Sequence, residues 1–573
     1  MKHDEAEMAG MHGQLSRTGV ILVVAGVMLG MLLASLDQTI VGTAMPRVIA
    51  ELHGMQHYAW VFTAYMLAST VMVPIYGKLS DLYGRRPFFL IGMVLFLVGS
   101  ALSGTSQNIL QLIVYRAIQG LGAGAMMPIA QAIIGDIFPP AERGRLQGIL
   151  MSVFGLSSII GPLLGGWITD NWGWRWCFYV NMPVGVLALV TAGFALPRMP
   201  FRHYHKVDYT GAGLLIAAAV PMLLAFSWGG TQYAWSSAPV IALLVFSALM
   251  WAAFAFVEQR AAEPIITPSL FKNRVFSASV AATFLAGVGM FGSIMYLPLY
   301  VQGVLGQSAT NSGAVLTPMM LSFMVASALG GWIMTRTGRY KWLAVGAFAI
   351  ASFGMFLLSR MDGHANAWMV VRNMVITGLG IGVTMSLFTI VVQNAFPFGQ
   401  LGQVTGSLQF FRSIGGTIGV ALLGAAMTSR FKSELTTRLP SGMAHALPPS
   451  AQSLLGNPQA LVSPEATSAL RAHLTALGPQ GVALANLFLG AVRTSLAAAV
   501  SDVFALGTGL LVLGLIATFF LPEIPLRRGE RRAPGEVAAP GAMMAEMATD
   551  VAEAGVLMAG GGGGGRPDED EEA

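Results

Sequence analysis

The amino-acid sequence predicts an all-α membrane protein: fourteen transmembrane helices, arranged as two six-helix halves with two further helices inserted between them. Three observations predict it: an apolar composition, a run of bilayer-length apolar windows, and an internal repeat. Of 573 residues, 55% are hydrophobic and only 10% are charged, and the mean hydropathy is +0.66. Soluble domains carry about 25% charged residues, so the composition suits lipid.

The apolar windows fall at about 20–45, 58–77, 88–104, 108–134, 146–169, 177–196, 209–228, 238–257, 275–302, 312–334, 341–360, 367–393, 402–428 and 501–521. Each is near the ~20 residues that cross a hydrocarbon layer. The first window follows a polar segment, Met1–Arg17. It is too long for a signal-peptide core and lacks a small-residue cleavage pattern, so it is expected to remain as a helix.

Alternate connections hold Lys78, Arg85, Arg86, Arg143, Arg145, Arg198, Arg202, Lys206, Arg260, Lys272, Arg274, Arg336, Arg339 and Lys341. The opposite short connections hold little beyond Arg47, Arg175 and Arg360. The positive-inside rule therefore puts the first set, and both termini, in the cytoplasm.

The repeat is read from glycines in register. Gly120-Leu121-Gly122-Ala123-Gly124 recurs as Gly378-Leu379-Gly380-Ile381-Gly382. The same spacing carries Gly144, Gly148, Gly161 and Gly166 onto Gly402, Gly406, Gly419 and Gly424. Gly77, Asp81, Gly84 and Arg85 map onto Gly331, Thr335, Gly338 and Arg339. The spacing exceeds six helices by about two, and the 209–257 pair fills the surplus.

The expected organisation has a cytoplasmic N-terminus at 1–17, a first half at 18–197, the inserted pair at 198–274 and a second half at 275–522. The second half includes a long external loop at about 429–500, and 523–573 is a disordered cytoplasmic tail. Within the loop, Val482 to Val500 suits an amphipathic helix on the membrane or on the protein, or a tolerated insertion. The tail is basic near Arg527, then rich in Ala, Gly, Pro and Glu, closing on Asp568-Glu569-Asp570-Glu571-Glu572; that composition builds no core.

Few groups inside the spans carry chemistry. Asp37 lies in Ser35-Leu36-Asp37-Gln38-Thr39-Ile40-Val41, inside an apolar run, where an ionisable residue marks a functional site by default. No other acid lies as deep: Glu258 and Asp136 close spans at cytoplasmic ends, and Asp502 opens one at an outer end. In the second half Arg412 is the deepest charge. It suits contact with substrate, a phospholipid or another anion, or equally a snorkelling or packing role.

The loop after the second window reads Gly77-Lys78-Leu79-Ser80-Asp81-Leu82-Tyr83-Gly84-Arg85-Arg86-Pro87. Gly77 permits close helix approach and Gly84 a tight turn. Asp81 and Arg85, four apart, suit a charge-assisted pair that holds helix ends together in one conformation. Such a loop is a candidate conformational switch; the plainer reading is a basic loop obeying the orientation rule.

This stretch resembles the signature loop of the major facilitator superfamily. Arg116-Ala117-Ile118-Gln119-Gly120-Leu121-Gly122 resembles that family's fourth-helix motif. Gly155 with Gly161-Pro162-Leu163-Leu164-Gly165-Gly166 resembles its fifth-helix antiporter motif. Leu36-Asp37 through Pro46, and Trp174-Arg175-Trp176 with Asn181 and Pro183, are similar to the fourteen-helix drug:proton antiporter branch, the EmrB/QacA type. Three departures stand out: Gly42 where Asn is frequent, Thr335 and Tyr340 in place of the acid and second arginine of the second-half loop, and Gly419-Val420 as the copy of Gly161-Pro162.

The resemblance implies alternating access and proton-coupled export of amphipathic, often cationic compounds. Asp37 and Arg116 each lie about eight residues from the outer ends of their helices, ~12 Å deep at 1.5 Å per residue. Those helices are neighbours in the family, so the resemblance implies that the two charges meet, with Asp37 as proton site and Arg116 as its modulator. A fixed structural ion pair is the competing reading. The Gly161-Pro162 and Gly165-Gly166 cluster would then seal against leak.

Other function classes fare worse. There is no clustered His, Cys or Asp/Glu set with metal-ligand spacing, no G-x-S-x-G and no phosphate-binding loop, so an enzyme, a cofactor and a metal site are not expected. The single cysteine, Cys177, forms no intrachain disulfide. Nucleic acid is not an expected partner; small amphipathic substrates, protons and membrane lipids are. The expected setting is a bacterial plasma membrane and the expected state a monomer. Export of an endogenous lipid or metabolite, and a non-transporting receptor, are the alternatives.

Overall fold

A computed structural model describes residues 16–52, 58–138, 140–197, 207–230, 232–306, 309–361, 365–439 and 479–526. The described residues form fourteen helices long and apolar enough to cross a membrane. In the first half they are α1 (Arg17–Leu52), α2 (Tyr58–Tyr83), α3 (Arg85–Thr105), α4 (Ile109–Ile137), α5 (Pro140–Asn171) and α6 (Asn181–Ala195), the last preceded by one turn at Trp176–Tyr179. The pair α7 (Tyr209–Trp228) and α8 (Ala238–Glu258) follows. The second half is α9 (Arg274–Gly303), α10 (Ala309–Thr337), α11 (Lys341–Ser359), α12 (Ala367–Ala395), α13 (Leu401–Arg438) and α14 (Pro479–Phe519).

Several helix starts are written locally. The side chains of Asn108, Asp208, Asn273 and Asn366 accept hydrogen bonds from the backbone N–H of Gln111, Gly211, Val275 and Met369. Each satisfies an orphan donor of a first turn.

The two halves pack alike. In the first, α1 contacts α4, α5 and α6, α4 contacts α2 and α3, and α3 contacts α6. In the second, α9 contacts α12, α13 and α14, α12 contacts α10 and α11, and α11 contacts α14. Each of these pairings has its counterpart, as two homologous bundles require. The halves meet through α2 against α13 and α5 against α10. Here glycine sets the distance: a Cβ at Gly77 would stand 2.5 Å from the Gly402 carbonyl oxygen. The inserted α7–α8 pair packs on itself and against α2 and α13, burying Leu215, Ala219 and Leu223 with Phe254, Phe410 and Ile414.

The connection between α13 and α14 departs from the sequence expectation: it does not run from about 429 to 500. Helix α13 continues to Arg438 and α14 begins at Pro479; the rest of the connection lies outside the described residues. Val482–Val500 is the opening part of α14, not a separate surface helix. Its amphipathic pattern has a protein partner, since Ala485, Phe488, Val492 and Leu496 are buried while Val482 and Leu487 are exposed. Arg430 ties the two extensions together, pairing with Glu434 at 3.0 Å and with Asp502 at 2.9 Å.

Candidate functional site

Asp37 sits midway along α1 and is fully buried. Arg116 of α4 donates from Nη1 to its Oδ2 at 2.6 Å. The carboxamides of Gln119 and Asn181 each donate to its Oδ1 at 2.9 Å. Arg116 also donates to Gln119 Oε1 at 2.7 Å, and Asn181 to Ser100 Oγ at 3.0 Å. The Arg116 guanidinium stacks 4.2 Å over the Tyr65 ring. The two charges matched by depth along the sequence therefore do meet.

The two carboxamides had no role read from the sequence, although both stand inside the motifs that carry the resemblance. Arg116 and Gln119 are one turn apart on α4 and so share a face; Asn181 opens α6, which packs on α1. Three donors, one of them cationic, thus converge on a single carboxylate.

The same α1 segment is gripped by α5. Thr39 donates to the Ser157 carbonyl at 3.1 Å, and the Ser35 and Ser157 hydroxyls lie 2.8 Å apart. Gly161 and Gly165 make this approach possible: a Cβ on Gly165 would stand 2.8 Å from the Ile40 carbonyl oxygen, and one on Gly161 would collide with Thr39. Gly155 instead faces the second half, 3.5 Å from Met324. Gly166 has open space around it and Pro162 is exposed. Of the antiporter-motif residues, then, Gly161 and Gly165 carry the close approach, and Gly166 does not.

The candidate switch loop builds a second charged cluster. Gly84 takes φ 93°, a left-handed backbone that suits glycine, and α3 starts one residue later. This returns Arg85 onto Asp81, with which it pairs. Arg85 Nε also pairs with Asp136 of α4 at 2.8 Å. Asp136 was expected only as a span end; it is part of the cluster.

Asp81 in turn reaches the other half. Its two oxygens accept from the backbone N–H of Gly402 at 2.9 Å and of Gln403 at 2.6 Å. Those are first-turn donors of α13, whose own preceding residue, Gln400, supplies no side-chain cap. An anion at a helix N-terminus is favoured by the unpaired N–H groups and the dipole. Asp81 is therefore a cap in trans, joining α2 to α13. Arg86 donates to the Gly193 carbonyl of α6, and Lys78 pairs with Glu263, beyond α8, at 2.7 Å.

The counterpart in the second half is plain. Thr335, standing where the repeat would place an acid, donates to the Trp332 carbonyl at 2.8 Å. Tyr340 ties down the chain after α14 instead: its hydroxyl donates to the Pro522 carbonyl and accepts from the Ile524 N–H, each at 2.7 Å. Burial pushes the Tyr340 phenol upward.

Two six-helix bundles related by a repeat, closed against each other through the Asp81 loop, define a transporter architecture. A family model described as Major Facilitator Superfamily matches residues 27–420. The chain belongs to the Major Facilitator Superfamily. It is 38% identical over 517 residues to the multidrug transporter protein MdtP of Bacillus subtilis (strain 168), covering 88% of this chain and 93% of that one. To multidrug resistance protein 3 of the same organism it is 40% identical over 438 residues, 76% of this chain and 85% of the other. The efflux pump FUS6 of Gibberella fujikuroi is 31% identical over 417 residues, 71% and 75% respectively. In fold it is similar to the proton:xylose symporter XylE, with TM-score 0.56 at 12% identity over 88% of this chain and 96% of that one. The family and the relatives named as transporters mark this superfamily member as a transporter.

Proposed function

We propose that this chain is a proton-driven exporter of amphipathic compounds, lipophilic cations among them, working as a monomer by alternating access in a bacterial plasma membrane with both termini in the cytoplasm. The observation that carries the reading is the Asp37 cluster: a fully buried carboxylate in the middle of α1, held by Arg116, Gln119 and Asn181. The relatives named as multidrug transporters and an efflux pump support the cargo class.

In this reading the cluster is the charged state of a proton carrier. Among the contacts between the halves, Gly77–Gly402, Asp81–Gly402 and Gly148–Ala328 lie on the side of the basic loops. With the charge-derived orientation, that state is closed to the cytoplasm. A proton arriving from outside would displace Arg116 from Asp37, loosen α1 from α4 and favour opening inward, where cargo binds and the proton leaves. The driving force is the proton gradient, with no cofactor.

The test is substrate flux in liposomes under an imposed pH gradient, with proton release followed on addition of a cationic dye. Wild type should pump the dye against its gradient and release protons; Asp37→Asn should do neither. Wild-type pumping by Asp37→Asn protein would overturn the assignment of the proton site.

A further inference from the structure

The second half buries a charge that the proton cycle does not use. Arg412 of α13 is 3% exposed, and its Nε has no hydrogen-bond partner. Among the described residues no carboxylate pairs with it. The elements packed on α13 explain why: α9 and α12 contain no acid at all. Asp81 of α2 and Asp136 of α4 share Arg85, and Asp502 of α14 is held by Arg430 at the far end. The repeat makes the asymmetry plain, since the position matching Asp37 is Phe291 and the one matching Arg116 is Met374. At this depth the second half, among the described residues, holds a cation with no carboxylate beside it.

The helix geometry places this guanidinium. On α13, Thr405, Arg412, Gly416 and Gly419 lie on one face at helical spacing. Thr405 accepts from Gln393 of α12 at 3.1 Å, whereas Gly416 and Gly419 abut Phe291 and Val288 of α9. Arg412 lies between these levels, against α9 at Gly287. Buried polar atoms without partners lie on nearby turns of α9 and α13. The Thr283 and Ser279 hydroxyls of α9 are buried without partners, as is Gln409 Oε1 one turn inward on α13. Thr283 shares the face of Gly287, which packs on the Arg412 carbonyl. One turn outward the wall is apolar, with Phe291 against Gly416.

We propose that Arg412 seats the anionic headgroup, a carboxylate or phosphate, of a transported amphipath whose apolar body lies along the Phe291 side of α9. A buried guanidinium without a counter-charge is costly, and a fork of donors matches such oxyanions; the neighbouring hydroxyls would add donors. The inference rests on the efflux reading for its transport step, but binding can be measured without it.

The experiment uses purified full-length protein in phosphatidylcholine nanodiscs, titrated with dansyl-undecanoate as the anionic probe and ethidium as the cationic one. Wild type should bind the carboxylate. Arg412→Gln should bind it at least about tenfold more weakly, as expected when a charge-assisted hydrogen bond is removed, with Arg412→Lys between. Ethidium should bind the variants no more weakly than wild type, because a cation takes no hydrogen bond from the guanidinium and is repelled by its charge, and its binding also shows that the variants are folded. Carboxylate binding that is absent in wild type, or equal in wild type and Arg412→Gln, overturns the proposal. So does its abolition in discs of phosphatidylglycerol, which would identify a resident lipid rather than cargo as the occupant. If ethidium is pumped in liposomes while the carboxylate fails to bind, the efflux reading stands and this one falls. If the carboxylate binds through Arg412 while neither probe is pumped, the reverse holds.

Discussion

At Asp37 a carboxylate meets one guanidinium and two carboxamides, all buried. Breaking such a pair from one side leaves an uncompensated buried charge, which typically costs about 3–5 kcal/mol. Asp37→Asn should therefore lower the unfolding temperature as well as stop uphill transport. The double variant Asp37→Asn, Arg116→Gln removes both charges and should recover most of that stability while leaving uphill transport absent. Thermal unfolding alongside liposome flux separates a coupling site from a structural pair; a double variant that pumps normally would leave only the structural role. Glu51, near the outer end of α1, gives a different pH signature. Its hydrogen bond from Arg175 holds its carboxyl below the usual value of 4.5, against the opposing effect of burial. A depressed folded value means stability that is present above the unfolded value and lost as pH falls through the folded one. The unfolding-temperature gap between wild type and Glu51→Gln should accordingly exist at neutral pH, shrink as pH falls below 4.5 and vanish below the lowered folded value. A gap that persists unchanged in acid would show that the charge of Glu51 contributes nothing there.

Among the elements, α13 carries the most consequence, because its first turn is capped by a residue of the opposite half. Asp81→Asn halves the accepting capacity at Gly402 and Gln403 and removes the negative charge from the helix N-terminus. A lost cap costs about 0.5–2 kcal/mol, enough to shift a balanced conformational equilibrium several-fold. The cost should appear as opening of the basic-loop side rather than unfolding. Gly84→Ala, which forces a side chain onto φ 93°, should cost about 1–2 kcal/mol and displace Arg85 from both acids. Glycine also sets helix spacing at Gly161 and Gly165. Valine at Gly161 should separate α1 from α5 and so disturb Asp37, whereas Gly166→Ala, with open space around it, should be silent in flux assays.

For the whole molecule, the fold offers a direct readout of alternation. Cys177 is the single cysteine and is buried, so a Cys177→Ser background leaves room for placed labels. Spin labels at Tyr83→Cys and Thr337→Cys, one on each half on the basic-loop side, should sit closer at high pH than at low pH. In the proposed cycle, protonation of Asp37 favours the state open on that side. The distribution should lose its pH dependence with Asp37→Asn and shift toward the long distance with Asp81→Asn. Distances that ignore both substitutions would uncouple the Asp37 cluster from the closure at Gly402.

The sequence by itself determined the class, the helix count, the two-half repeat and the depth match of Asp37 with Arg116. Each of these follows from short-range regularity: hydropathy over one window, glycine spacing, or rise per residue. Helix ends were less legible where amphipathic turns continue past the apolar window. Thus α13 and α14 extend to Arg438 and back to Pro479, because their outer turns pack on each other. The tertiary structure alone decided which polar groups meet. Gln119 and Asn181 reach Asp37, Asp136 joins Arg85, and Asp81 caps a helix whose N–H groups lie more than three hundred residues along the chain. A hydrogen bond between distant helices depends on which faces the bundle turns together, and no local period encodes that. The same packing left Arg412 without an anion, since a missing partner exists only once every neighbour is in place.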